Sequence, residues 1–328
     1  MNRIKYLVLL SLVVIISALI VKNISQNDNM KQKAQDNESF APVASSVISG
    51  VRMIEEDILL DDHEKPIAKP SVSPNPKPVV KPYITAESYI VGNLKTGEIY
   101  SQLNPDKVVP IASVSKLYTA LVVKHVFDQE KEISITQTML DAYGESGGLK
   151  LDEKFKPEEL LYALLLVSSN DAAEAFAQSF GFQEFMSNMN GFAKEIGMHK
   201  TYFDDPSGLS PQNVSNATDL FALTKYLYTS EKSILEISKT ATFDLATTTE
   251  HGYHHYVNIN PFTAYSYFSG GKTGRTNEAK EAMVSIFDQT VGDTTYPIAV
   301  IILRSDLGER EMNTEKLLGL FMEKVSVK

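Results

Sequence analysis

Strand patterns stand at both ends of the foldable part of this chain, with helical patterns between them, and that order limits the architectures open to it. Glu87 to Asn93 reads as a strand, Lys95-Thr96-Gly97 as a turn, and Glu98 to Gln102 as the returning strand. Strand patterns reappear only late, at Met283 to Phe287 and Pro297 to Leu303, before a last helical pattern from about Asn313 to Val325. In between, Leu117, Leu121 and Val126 mark a helix over Ser113 to Phe127. Pro157, followed by Glu158-Glu159, starts a helix running through Leu166. Asp171 reads as the N-cap of a helix over Ala172 to Phe180, and Gln183 to Ile196 and Thr218 to Tyr228 are also helical. The expected fold is one α+β domain over residues 83–328, its antiparallel sheet built from both chain ends, with helices on the sheet faces and a mostly helical insert. No repeat and no second-domain boundary interrupts it.

The first 82 residues have a different character. Arg3 and Lys5 precede sixteen uncharged residues, Tyr6 to Val21, before Lys22. As a helix this run spans roughly 24 Å, a little short of a bilayer core of about 30 Å, with flanking lysines able to snorkel. Residues 1–22 are therefore read as an uncleaved membrane anchor, with its basic end cytoplasmic and the remainder outside. The alternative is a cleaved signal peptide, but no Ala-x-Ala-like site follows Val21. Either reading exports the protein. Residues 23–82 read as a disordered tether, with six prolines from Pro66 to Pro82. Val47 to Leu60 is the exception, a short transient helix whose apolar face carries Ile48, Val51 and Ile54. With the folded part ending near the chain terminus, membrane attachment is expected to fall to the N-terminus.

Composition removes several function classes. The apolar fraction of 43% supports a substantial core. A net charge of −10 and the lack of a basic stripe argue against nucleic-acid binding. The absence of cysteine excludes disulfides, thiolate metal sites, a cysteine nucleophile and a lipid-modified cysteine anchor. The six histidines show no metal-ligand spacing and read as surface or packing residues.

Three short motifs carry the chemistry: Ser113-Val114-Ser115-Lys116, Ser168-Ser169-Asn170 and Lys272-Thr273-Gly274. A serine hydroxyl is a poor nucleophile until a base removes its proton. Three residues on, Lys116 shares a helix face with Ser113, about 5–6 Å away between Cβ atoms. Its amine becomes a base once desolvation or a neighbouring cation lowers its pKa, and Lys272 is the cation expected to be brought near. A helix N-terminus at Ser113 adds a free N–H suited to an oxyanion hole. Ser168 and Asn170 follow the apolar run Leu164-Leu165-Leu166-Val167, where a hydroxyl and an amide can face one cleft. Lys272-Thr273-Gly274 follows two glycines and precedes a strand, and its ammonium and hydroxyl can clamp a carboxylate. Each triplet alone has an ordinary reading as cap, turn or exposed lysine. Ser269-Gly270-Gly271-Lys272 and Lys95-Thr96-Gly97 repeat the first and third patterns by chance, so order and setting hold the information. Glu174 and Asp171 read as helix surface and cap.

Together these segments resemble the penicillin-recognising serine enzymes, specifically the D-alanyl-D-alanine carboxypeptidase family of low-molecular-mass penicillin-binding proteins. The resemblance covers about Ala86 to Leu318 and extends past the triplets, through Pro110 to Ala120, Leu160 to Ala173 and Glu195 to Leu220. It implies a DD-peptidase/β-lactamase-like fold. It further implies that Ser113 attacks the carbonyl between two D-alanines of a peptidoglycan stem peptide, with Lys116 as general base. Ser168 would relay a proton to the leaving amine, and Asn170 would orient the substrate amide and Lys116. Lys272 and Thr273 of the Lys272-Thr273-Gly274 strand would bind the terminal carboxylate, and the N–H groups of Ser113 and Arg275 would hold the oxyanion. No metal or organic cofactor is implied, and β-lactams would act as acylating inhibitors.

The chain departs from the family pattern in places. Arg275 stands where an aromatic or small polar residue is expected, and Ile259 replaces a basic residue in Asn258-Ile259-Asn260. Arg275 is therefore expected to supply the positive charge missing near the substrate carboxylate. Three other functions stay open: an endopeptidase cutting D-amino-acid crosslinks, a class A-like β-lactamase, and an inactive wall-binding or sensing domain. No Glu-x-x-Leu-Asn segment lies between Asn170 and Lys272 to activate a deacylating water, which points to a long-lived penicilloyl adduct.

Overall fold

Strand β1 (Ser88–Asn93) pairs on one side with β2 (Ile99–Leu103), as the hairpin pattern predicts, and on the other with a strand from the far end of the chain. This is a computed structural model, and it describes residues 83–144 and 147–326. The anchor, the tether and its Val47–Leu60 helix lie outside the described residues. Strands β3 (Phe268–Thr276), β4 (Lys280–Val291) and β5 (Thr294–Ser305) complete a five-stranded antiparallel sheet in the order β2-β1-β5-β4-β3. The two chain ends meet where Val91 lies opposite Val300.

Helices pack on both faces of this sheet, and the sequence of β5 shows why. Ile298, Val300 and Ile302 point to one face, where Leu317 and Phe321 of the last helix, α7 (Arg310–Ser326), cover them. Ala299, Ile301 and Leu303 point to the other face and join the larger core. Side chains alternate across a strand, so a strand covered on both sides reads as one apolar run. Each buried aliphatic side chain contributes about 1.5–3 kcal/mol of transfer free energy.

The larger core surrounds α1 (Ser115–Val126), which has Leu117, Tyr118, Ala120, Leu121, Val122 and Val123 all buried. A helix apolar on every side belongs in the middle of a fold. Around it lie α2 (Pro157–Leu166), α3 (Asn170–Phe180), α4 (Phe182–Glu195), α5 (Ala217–Ser230) and α6 (Lys232–Lys239). The α+β expectation holds. Two local expectations change, and some elements were not expected. The helix expected from Ser113 begins as a 3₁₀ turn, Ala112–Val114, with α1 proper starting at Ser115. Lys272-Thr273-Gly274 lies within β3 rather than before a strand, because its glycines mask the strand pattern. Helix α6 and the strand pair Thr242–Leu245 with His254–Val257 had no expected counterpart.

Candidate active site

Lys116 sits on the first turn of α1 and is fully buried, which is unusual for a residue that normally keeps its ammonium in water. Its Nζ donates to Ser113 Oγ at 3.0 Å, to Asn170 Oδ1 at 2.7 Å and to the Ser207 carbonyl at 2.6 Å. Those three acceptors satisfy all three hydrogens of an ammonium. Burial lowers the Lys116 amine to about 7, opposed by the negative charge of Asp205, which raises it. Near neutrality the unprotonated amine is therefore well populated, and its lone pair can face the Ser113 hydroxyl. Ser113 itself, the candidate nucleophile, stands on the 3₁₀ turn, half-buried, next to Ala112 at φ 49°.

Asn170 reaches this cluster because α2 ends at Leu166 and the chain reverses within a few residues. Ser168, half-buried at φ 60°, makes the bend, and Ser169 then caps α3 by accepting from the Ala172 N–H at 3.1 Å. Ser169, not Asp171, is thus the N-cap. The serine hydroxyl lies one position outside the helix, where it meets the free N–H groups. Asn170 follows as the first helical residue, its amide fixed by donation from Nδ2 to the Tyr143 carbonyl at 2.6 Å and by acceptance from Lys116.

The third motif arrives on edge strand β3, where Lys272 pairs with Val284, Thr273 with Met283 and Gly274 with Ala282. Gly274 lies so close to the nucleophile turn that a Cβ there would be 2.8 Å from the Ile111 carbonyl oxygen and 3.0 Å from the Ser113 nitrogen. Glycine is what lets the strand backbone and the Ser113 N–H share one edge of the site. Lys272 is buried, and its Nζ donates to the Thr273 carbonyl at 2.9 Å. Burial, then the charges of Lys116 and Arg310, holds its amine well below the usual lysine range. Thr273 is buried beside it.

The Arg275 side chain is exposed. The arginine whose charge reaches Lys272 is Arg310, on the first turn of α7, with Nη1 3.4 Å from the Gly274 carbonyl oxygen. Arg310 also meets Glu311 at 2.8 Å and Glu281 at 3.8 Å, and sequence reasoning missed it because thirty-odd residues separate it from the motif. Also unforeseen were the Ser207 and Tyr143 carbonyls, since a backbone oxygen leaves no mark in a motif.

Glu174, expected on the helix surface, is half-buried, and burial pushes its carboxyl up. Two histidines are packing residues, as expected: His251 stacks on Phe155 with ring centres 4.8 Å apart, and His254 meets Glu153 at 3.2 Å. Among the described residues no group of three or more His, Cys, Asp and Glu side chains is arranged to hold a metal ion.

Known proteins are similar to this chain. The family profile described as D-alanyl-D-alanine carboxypeptidase matches residues 75–304. The D-alanyl-D-alanine endopeptidase of Escherichia coli is 36% identical over 148 residues, covering 44% of this chain and 47% of the relative. The chain spans about half the length of the curated endopeptidases it matches. The D-alanyl-D-alanine carboxypeptidase DacF of Bacillus subtilis is 28% identical over 242 residues, 71% of this chain and 61% of the relative. The crystal structure of the Streptomyces K15 DD-transpeptidase superposes with a TM-score of 0.65 at 27% identity, covering 74% of this chain and 98% of that one.

Proposed function

Because this chain belongs to the D-alanyl-D-alanine carboxypeptidase family, we propose that it is a serine peptidase that removes the terminal D-alanine from peptidoglycan stem peptides through an acyl-enzyme on Ser113. The observation that carries the reading is the contact between a buried, weakly basic Lys116 and the Ser113 hydroxyl at 3.0 Å. In its neutral form Lys116 takes the Ser113 proton as Oγ attacks the carbonyl carbon of the penultimate D-alanine. The oxyanion rests on the N–H groups of Ser113 and Arg275, which the missing side chain at Gly274 keeps accessible. As the C–N bond breaks, Ser168 passes a proton to the departing amine, and the ester on Ser113 is later hydrolysed by water.

Asn170 holds Lys116 and the substrate amide in register. Lys272 and Thr273 bind the terminal carboxylate, with Arg310 adding positive potential behind them. These steps call on no metal or organic cofactor. β-Lactams enter as acylating inhibitors that mimic the same carbonyl. Family members act on peptidoglycan outside the cytoplasm, and residues 1–22 are proposed as a membrane anchor with residues 23–82 as the tether to the catalytic domain. No helix among the described residues is long and apolar enough to cross a membrane.

Crosslink cleavage is the second reading, favoured by the 36% identity to endopeptidases. Both activities use the same acyl chemistry and differ in what occupies the leaving-group side. Incubation of the full chain with a fluorescent penicillin should give a lasting covalent label that Ser113→Ala abolishes. Digestion of defined muropeptides, read by mass, should then show loss of one D-alanine. Opened crosslinks would move the assignment to endopeptidase, rapid penicillin turnover to β-lactamase, and the absence of any label would end the acyl-enzyme reading.

A further inference from the structure

One carboxylate beside the site has a task that the proposed mechanism does not use. Asp205 Oδ1 accepts from the Ser207 N–H at 2.6 Å, the Ser207 hydroxyl at 2.9 Å and the Gly208 N–H at 2.6 Å, while Oδ2 accepts from the Ser210 N–H. The segment it gathers is the one that closes over the first turn of α1. Thr119 Oγ1 donates to the Pro206 carbonyl at 2.6 Å, and Lys116 donates to the Ser207 carbonyl at 2.6 Å. Asn213 Nδ2 donates to Ser115 Oγ at 3.3 Å and to the Asp205 carbonyl at 2.8 Å. Gly208, at φ +86°, lies so near the nucleophile turn that a Cβ would come within 2.0 Å of the Ala112 carbonyl oxygen.

We infer that Asp205 is a positioning residue for acyl transfer with two joint tasks: its carboxylate folds Pro206 to Ser210 into the turn that aims the Ser207 carbonyl at Lys116 and seats Gly208 behind Ser113, and its negative charge acts through that turn on the buried amine. A carboxylate suits this place for two physical reasons. It accepts from several N–H and O–H groups converging on one point, and charge-assisted hydrogen bonds of this kind are about twice as strong as neutral ones. It also puts a negative charge near the buried amine. An asparagine at 205 keeps one acceptor, turns a donor towards the Ser210 N–H and removes the charge.

The charged groups acting on this part of the fold are few. Asp205 raises Lys116, the charges of Lys116 and of Arg310 on α7 lower Lys272 on β3, and Asp205 adds to the upward displacement of Glu174 on α3. Asp205 is thus the anion that tempers the desolvation of Lys116, so that its amine remains weakly basic near neutral pH.

The inference rests on the acyl-enzyme reading, and one experiment separates the two. The rate constant for labelling the full chain with a fluorescent penicillin is measured from about pH 5 to about pH 9. In the wild type it rises with pH as Lys116 loses its proton. Asp205→Asn should lower the plateau about tenfold or more and move the acid limb down by about one pH unit, since removing an anion favours the neutral amine. Asp205→Glu, which restores the charge on a longer arm, should return the acid limb to the wild-type position while the plateau stays low. A loop-supporting role alone would lower the plateau and leave the limb in place, and that result in Asp205→Asn overturns the inference. If Asp205→Asn does not fold, Asp205→Glu decides, because a wild-type plateau there also overturns it. A wild-type chain that takes no label overturns the acyl-enzyme reading itself.

Discussion

At the proposed catalytic centre two buried lysines, Lys116 and Lys272, lie within electrostatic reach of each other, and both are driven towards their neutral forms. A second buried cluster, at the start of α2, is built the other way. There Glu153 accepts from the Lys150 N–H at 2.8 Å, the Gly252 N–H at 3.0 Å and His254 at 3.2 Å, while His251 faces Glu159 at 3.7 Å. Burial raises the Glu153 carboxyl, but these donors together outweigh it and the net displacement is downward. In the first cluster desolvation outweighs the surrounding acceptors and the Asp205 charge, which leaves Lys116 able to serve as the proposed base. The second compensates its charge and fastens the segment around Phe155 to the His251–His254 segment. Buried polar groups alone do not mark a site; the sign of their compensation does.

The comparison breaks first at Lys116. Lys116→Met should reduce the penicillin acylation rate constant by about 10³-fold, because the general base is gone. Thermal melting should stay the same or rise, since an apolar side chain of similar size does not carry the cost of burying an amine. A melting temperature that collapses with activity would mean that Lys116 is structural, and the contrast would fall.

A smaller loss is expected at the strand edge. Gly274→Ala places a Cβ 2.8 Å from the Ile111 carbonyl oxygen and pushes β3 away from Ser113. Acylation should fall by about 10²-fold, the usual cost of a misplacement near 1 Å, with secondary structure by circular dichroism intact. Unchanged kinetics would show that the contact between β3 and the nucleophile turn does not set the oxyanion geometry.

Glu153→Gln tests the opposite region. It should lower unfolding free energy in urea by about 1–3 kcal/mol, the cost of weakening buried charge-assisted hydrogen bonds. The acylation rate of the folded variant should match the wild type. Because the folded Glu153 pKa is depressed below its ordinary 4.5, its contribution is fully present above that pH and lost as pH falls through the lower folded value. The wild type should therefore lose its advantage over Glu153→Gln on acidification. A variant that folds as stably as the wild type but acylates slowly would reverse the assignment of the two clusters.

How much of this was readable in advance depended on how local each feature is. Ser113 and Lys116 stand three residues apart on adjoining helical turns, so spacing alone brought that pair together, and Ser168 and Asn170 bracket a helix start that the sequence already marked. The helix from Pro157 to Leu166 was legible because proline and two glutamates mark its start and leucines fill its interior. Strand β3 was not, since Gly270, Gly271 and Gly274 depress any strand signal while meeting a need for close backbone approach. Asp205 drew no expectation of its own, because its value comes from four donors that converge only after the turn has formed. Arg275 attracted the expectation of charge through being next in line, whereas the charge that reaches Lys272 comes from Arg310, on the first turn of α7.

The sequence by itself determined the α+β order of elements, the family, and the three motifs that bring hydroxyl, amine and amide together. Only the tertiary structure decided that Lys116 is buried, that the Ser207 carbonyl faces it, and that Arg310 rather than Arg275 stands behind Lys272. The reason is that an amine's basicity is set by the water removed from around it and by charges through space, and neither quantity is written in the neighbouring letters of the chain.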